Sequence, residues 1–182
     1  MSIRFSTLFA VACTGLLAVT SCGGESSAKD DANLIAANDF ESVIGWTGEQ
    51  GTVSREQAHS GRYAVKVDGG HEFGMGYNLP LGQATARKPH TLRVSGWAYK
   101  TDDKSNARLG LQLFDPATGK EVFGDGIDYS DQVKETRKWV EISKDIKLPE
   151  TAASGQQLRV FLWRASASTP AYIDDLRIAL ID

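Results

Sequence analysis

The chain is poor in the groups from which most active sites are built. Its only cysteines are Cys13 and Cys22, and its three histidines, His59, His71 and His90, are scattered with no pair at helical spacing. A thiol nucleophile in the folded part, a histidine zinc motif and a disulfide framework are thereby excluded. There is no Gly-x-Ser-x-Gly elbow. The run from Gly69 to Gly76 (GGHEFGMG) resembles a phosphate-binding stretch only superficially, because it follows one predicted strand and leads into another instead of opening a helix. Twenty Lys and Arg against 23 Asp and Glu give a net charge of −3, with no basic cluster, which argues against a nucleic-acid partner. A pair of carboxylates suffices for glycoside hydrolysis, but Asp102, Asp103, Asp125, Asp128 and Asp131 fall in turn-like segments. The chain therefore reads as a non-enzyme. Long apolar runs are missing too, apart from Phe5 to Thr20, which is short and interrupted by serine and threonine.

That N-terminal run is a secretory signal, with Arg4 as its positive region and the small Ser21 at its end. The approach Val19-Thr20-Ser21-Cys22 resembles the lipobox of bacterial lipoproteins. The resemblance implies that Cys22 is lipidated on sulfur and becomes the first residue of the mature protein; an ordinary signal peptide that contains cysteines is the alternative. Several acyl chains, at about 0.8 kcal/mol per buried CH₂, anchor firmly where one chain is marginal. The membrane is then a partner through the lipid, and the expected location is the outer membrane or cell surface of a Gram-negative envelope. Cys13 leaves with the signal, so the exported domain has no disulfide in an oxidising compartment. The expected organisation is a signal peptide over residues 1–21, the lipidated cysteine with a flexible tether over 22–32, and a folded domain over 33–182. The tether GGESSAKDDA is too small and polar to fold. Its Lys29-Asp30-Asp31 resembles the basic-then-acidic export tag of certain Bacteroidetes surface lipoproteins, a solvated linker being the alternative.

The remaining stretch of about 150 residues suits one domain with one sizeable core. Period-two alternation dominates it, and no long helical periodicity appears. Strands are predicted over Asn33 to Phe40, Thr52 to Gln57, Arg62 to Asp68, Gly74 to Leu81, His90 to Thr101, Ala107 to Asp115, Glu121 to Phe123, Trp139 to Leu148, Gln157 to Ala165 and Ala171 to Leu180. Turn residues such as His59-Ser60-Gly61, Asp68-Gly69-Gly70 and Asp115-Pro116 separate them. The pattern predicts an all-β sandwich or barrel.

Four segments carry a family resemblance: Asn38-Asp39-Phe40-Glu41 followed by Gly45-Trp46; Ala58 to Val67 (AHSGRYAVKV); Thr91 to Lys100 (TLRVSGWAYK); and Tyr172 to Ile178 (YIDDLRI). Together they resemble galactose-binding-domain-like jelly rolls, and among these the carbohydrate-binding modules that accompany bacterial glycan-degrading enzymes. The resemblance implies a jelly-roll β-sandwich of two antiparallel sheets with a glycan as partner. No catalytic domain accompanies it here. An envelope jelly roll that contacts another protein, or plays a structural role, is the alternative.

Strand phase nominates a face. Leu92, Val94, Gly96 and Ala98 oppose Arg93, Ser95, Trp97 and Tyr99; Leu109, Leu111 and Leu113 oppose Arg108, Gly110, Gln112 and Phe114; Leu158, Val160 and Leu162 oppose Arg159, Phe161 and Trp163. With the aliphatic sets as core, Trp97, Tyr99, Phe114, Phe161 and Trp163 are expected on one continuous sheet beside Arg108, Gln112 and Arg159. Pyranose C–H faces stack on aromatic rings while amides and guanidinium groups fix hydroxyls. The competing reading is packing, with a long Gly119 to Lys138 loop covering these aromatics as a second small core. The resemblance also implies a structural calcium ion tying the first strand to the last through Glu41, carbonyls around Ser60 and Gly61, and Asp174. Carboxylates plus turn carbonyls are the oxygen donors calcium takes. Otherwise Glu41 and Asp174 cap turns or pair with Arg62 and Arg177.

Overall fold

The computed structural model describes residues 33–181; the signal segment, Cys22 and the tether lie outside the described residues. Ten strands follow in order: β1 Leu34–Asn38, β2 Val53–Ser54, β3 Ala64–Val67, β4 Phe73–Pro80, β5 Thr91–Lys100, β6 Arg108–Asp115, β7 Lys120–Asp128, β8 Trp139–Lys147, β9 Gln157–Trp163 and β10 Ala171–Leu180. Short helical turns at Leu81–Ala84 and Tyr129–Gln132 interrupt them. No helix among the described residues is long and apolar enough to cross a membrane.

The strands form two antiparallel sheets, one in the order β2-β3-β10-β5-β8 with β1 also on β10, the other in the order β4-β9-β6-β7. This is the expected jelly-roll sandwich. Alternation places the core between them: Leu92, Val94, Ala98, Ile142 and Ile173 face Leu109, Leu111, Leu113, Leu158, Val160 and Leu162, all at most 2% exposed. Strand β10 needs one adjustment. Its register against β5 shifts between Asp174 and Arg177, and Asp175 sits there at φ 47°. This bulge resets the alternation, so that Leu176 and Ile178 as well as Ile173 point into the core. It also lets one edge of β10 pair with β3 before the bulge and with β1 after it.

One expectation is corrected here. The region after Gly119 is no covering loop: Lys120–Asp128 is a strand that extends the second sheet at its edge. Gly124 and Gly126 disguise it, since they occupy outward positions where alternation shows only as side chain against no side chain.

Candidate functional site

The outer face of the β4-β9-β6-β7 sheet is built as cross-strand rungs. The first aligns Phe73, Trp163, Arg108 and Asp128; the second Gly76, Phe161, Gly110 and Gly126; the third Asn78, Arg159, Gln112 and Gly124. Each rung follows from antiparallel pairing, which sets opposed residues on the same face. The middle rung is a line of glycines interrupted by one aromatic ring, and it forms a trough running across the strands. An aromatic bank stands on one side of it and an amide and guanidinium bank on the other.

The glycine floor is enforced by close approach. A Cβ on Gly76 would meet Val160 O at 2.2 Å and Phe161 Cβ at 2.8 Å. The Thr47 backbone reaches the same residue from the loop after β1, with Thr47 N–H donating to Gly76 O at 2.9 Å and Gly76 N–H to Thr47 O at 2.8 Å. Trp46 anchors that loop by packing edge-on against Phe40 and Tyr77, with ring centres 5.7 and 5.9 Å away. The trough has two chambers that share Phe73, Gln112 and Phe161. One, of about 330 Å³, is bounded by Thr47, Gly76, Asn78 and Arg159; the other, of about 380 Å³, by Arg108, Gly110, Glu121, Asp125 and Trp163.

On the aromatic bank Phe73 is 50% and Trp163 36% exposed, large apolar side chains left open to solvent. Their rings are near-parallel at 6.3 Å, and Phe73 meets Phe161 edge-on at 5.7 Å. Trp163 Nε1 donates to Glu72 at 3.3 Å, which fixes the indole plane. On the polar bank Arg159 lies flat over Phe114 at 3.8 Å and donates to Gln157 at 2.8 Å and to Gln112 at 3.5 Å. Burial lowers the pKa of the Arg159 guanidinium. Gln112 in turn donates to Glu121. Arg108 is paired with Asp128 at 2.7 Å and lies 3.7 Å from Asp125, which Lys144 also contacts at 2.7 Å.

Of the residues nominated by phase, Arg108, Gln112, Phe114, Arg159, Phe161 and Trp163 share this face. Trp97 and Tyr99 do not, because β5 belongs to the other sheet. Strand phase tells which side of its own sheet a residue takes, and says nothing about which sheet the strand joins. On that opposite surface Trp97 stacks on His59 at 3.8 Å, and Tyr99, only 9% exposed, packs among Trp139 and Tyr172 under the segment between β2 and β3. Phe73, Gly76 and Asn78, contributed by β4, were not nominated. The Gly69 to Gly76 run holds the first two, and its glycines hid the alternation.

The residues expected to hold calcium converge on one turn. Glu41 Oε1 accepts the N–H groups of Arg62 at 2.6 Å and Tyr63 at 2.9 Å, with the Arg62 Nε 3.6 Å from Oε2. Those N–H donors hold the Glu41 carboxyl below its ordinary pKa. Asp174 Oδ2 accepts from His59 N–H at 2.7 Å and Ser60 N–H at 3.1 Å, and Oδ1 from Asp175 N–H at 2.8 Å. Gly61, at φ 55°, lies beneath the Glu41 carboxylate, where a Cβ would come within 2.5 Å of Oε1. Asp174 is fully buried, and burial pushes its carboxyl up to about 6, against its N–H donors and helped by the Asp175 charge. A buried carboxylate without a cationic side chain is one a hard cation would neutralise, so its chemistry fits calcium. The fit is partial: N–H donors already engage these oxygens, and the described residues contain no group of three or more His, Cys, Asp or Glu able to hold a metal.

Comparison with known proteins agrees with this architecture. The chain is similar to the CBM22-1 xylan-binding domain of Paenibacillus barcinonensis Xyn10C, at 18% identity over 82% of this chain and 96% of that one, with a TM-score of 0.55. It is likewise similar to the C-terminal family 22 carbohydrate binding module of Clostridium thermocellum Xyn10B, at 19% identity over 83% and 95% of the two chains, TM-score 0.56. A family 16 carbohydrate binding module matches at 20% identity over 81% and 99%, TM-score 0.53. Such identities establish a shared fold. No curated protein matches the chain. Residues 32–169 match the family CBM_4_9, described as carbohydrate binding domain, and with that match spanning most of its length the chain belongs to this family.

Proposed function

We propose that the protein is a non-catalytic glycan-binding module whose site is the trough across β4, β9, β6 and β7. The observation that carries this reading is the middle rung, a glycine floor from which Phe161 rises between an aromatic and a hydrogen-bonding bank. A pyranose lying on that floor sets its C–H face against Phe161, Phe73 or Trp163 and its hydroxyls toward Asn78, Gln112 and Arg159. The rungs run across the strands, so the trough suits successive sugars of a chain. The xylan-binding domains of similar fold support a polysaccharide ligand. Affinity electrophoresis of the protein through gels containing xylan, β-glucan, mannan, pectin or alginate tests the reading. Retardation by at least one is expected, and free migration through all would overturn it.

The lipobox resemblance supports attachment of this module to the cell envelope through Cys22, with the tether as spacer. A Cys22→Ser chain should carry no labelled palmitate; retained label would refute the anchor. Calcium is proposed at the Glu41–Asp174 turn as a structural ion.

A further inference from the structure

The trough contains one cation without a counter-ion. Among the residues bounding the Thr47 chamber, Arg159 is the only charged one. The other cations of this face are neutralised: Arg108 by Asp128 and Asp125, Lys144 by Asp125. Arg159 meets only neutral groups, the amide oxygens of Gln112 and Gln157 and the Phe114 ring, and no described carboxylate lies within ion-pair distance of it. The nearest printed link to an acid runs through the Gln112 amide to Glu121.

Two buried polar atoms beside it also lack partners, Nε of Arg159 itself and Oδ1 of Asn78, its cross-strand neighbour on β4. Buried polar atoms are normally satisfied, and a partly desolvated charge left unpaired is costly. A neutral sugar laid over Arg159 would remove more water from the guanidinium and return only hydroxyl contacts. A carboxylate returns opposite charge and planar two-point hydrogen bonding, the geometry a guanidinium matches best. Stacking on Phe114 holds the group flat, and the two glutamine amides hold its edges, so it is presented in a fixed orientation.

We propose that the glycan recognised here is acidic and that Arg159 receives the carboxylate of a uronic acid residue in the Thr47 chamber, with Asn78 accepting from a neighbouring sugar hydroxyl. The proposal rests on the glycan-binding reading of the trough. It makes Arg159 a specificity-determining residue, while the aromatic bank supplies contacts common to neutral and acidic sugars.

Titration calorimetry of the full-length chain with oligogalacturonate and glucuronoxylan fragments, against unsubstituted xylo- and cello-oligosaccharides of equal length, tests it. At low salt a uronate-bearing ligand should bind at least about tenfold tighter than the best neutral one, and the advantage should shrink near 0.5 M NaCl, where the Debye length falls to a few ångströms. Reducing the uronate carboxyls to alcohols should erase the preference, an arm that needs no protein variant. Arg159→Gln should erase it while retaining neutral-sugar binding, and Arg159→Lys should restore part. Equal binding of neutral and acidic ligands would overturn the proposal and leave the glycan reading standing. A preference for a sulfated glycan over uronates, or a uronate preference that survives in folded Arg159→Gln, would overturn the assignment. Binding of no saccharide would overturn the glycan reading and this proposal together.

Discussion

Replacing Trp163 by alanine separates a rim platform from a core residue. The indole is 36% exposed, stacks on Phe73 and holds one long hydrogen bond at 3.3 Å to Glu72. A tryptophan buries about 200 Å², so roughly two thirds is already covered by protein, worth at most about 3 kcal/mol at ~25 cal/mol/Å². Phe73 can relax toward the vacated position at the open rim, which brings the expected loss of stability to about 1–2 kcal/mol, or a fall in Tm of about 3–6 °C. The uncovered third, about 70 Å², is what a sugar would cover. At the same coefficient it contributes about 1.8 kcal/mol, roughly a 20-fold weakening of Kd on truncation. Titration calorimetry with a bound polysaccharide fragment, beside thermal unfolding followed by circular dichroism, measures both quantities. Affinity unchanged within about twofold, or a loss of stability near the ~4 kcal/mol of a large core truncation, would refute the reasoning.

Gly76→Ala should destabilise the domain by about 3 kcal/mol, since its Cβ would press on Val160 O at 2.2 Å and the backbone there cannot give; a urea midpoint equal to that of the wild type would contradict the tight floor. For Asp68, burial raises the carboxyl pKa but hydrogen bonds from the His71 ring, Gly70 N–H and Lys66 outweigh it and hold it down to about 2. Folding then gains from the Asp68 anion above pH 4 and loses that gain as pH falls toward 2, so Asp68→Asn should cost at most about 2 kcal/mol at pH 7 and almost nothing near pH 2 in denaturant titrations. A cost that does not change with pH would count against it. If calcium joins the Glu41–Asp174 turn, it adds about 2.7 kcal/mol at a hundredfold excess over its Kd. Chelation should then lower Tm in the wild type and leave Asp174→Asn unmoved, whereas superimposable wild-type curves would remove calcium from the account.

The sandwich was legible because aliphatic alternation is strong wherever one face is buried: Leu109, Leu111 and Leu113, or Leu158, Val160 and Leu162, announce both strand and phase. Half of the trough came with it, through Arg108, Gln112, Phe114, Arg159, Phe161 and Trp163. What alternation cannot carry is sheet membership, which depends on the strand order of the whole chain, and so Trp97 and Tyr99 were joined to aromatics that lie on the opposite surface. The glycines formed a second blind spot. Gly76, Gly124 and Gly126 shape the trough by having no side chain, and to a pattern built on side chains they look like loop. Asp174 stood out by resemblance, but its N–H partners at His59 and Ser60 are 115 and 114 residues away in sequence and could be paired with it only in three dimensions.

The claim that matters most is the location of the glycan on the β4-β9-β6-β7 face. Backbone amide chemical-shift mapping of the isotopically labelled protein, titrated with a fragment of whichever polysaccharide retards it in the gel, tests that claim directly. The account predicts saturable shifts at Thr47, Gly76, Gly110, Gln112, Arg159 and Phe161 and quiet amides at Trp97, Tyr99 and Trp139. Shifts confined to Trp97, Tyr99, His59 and Trp139 would contradict it and move the site to the other sheet.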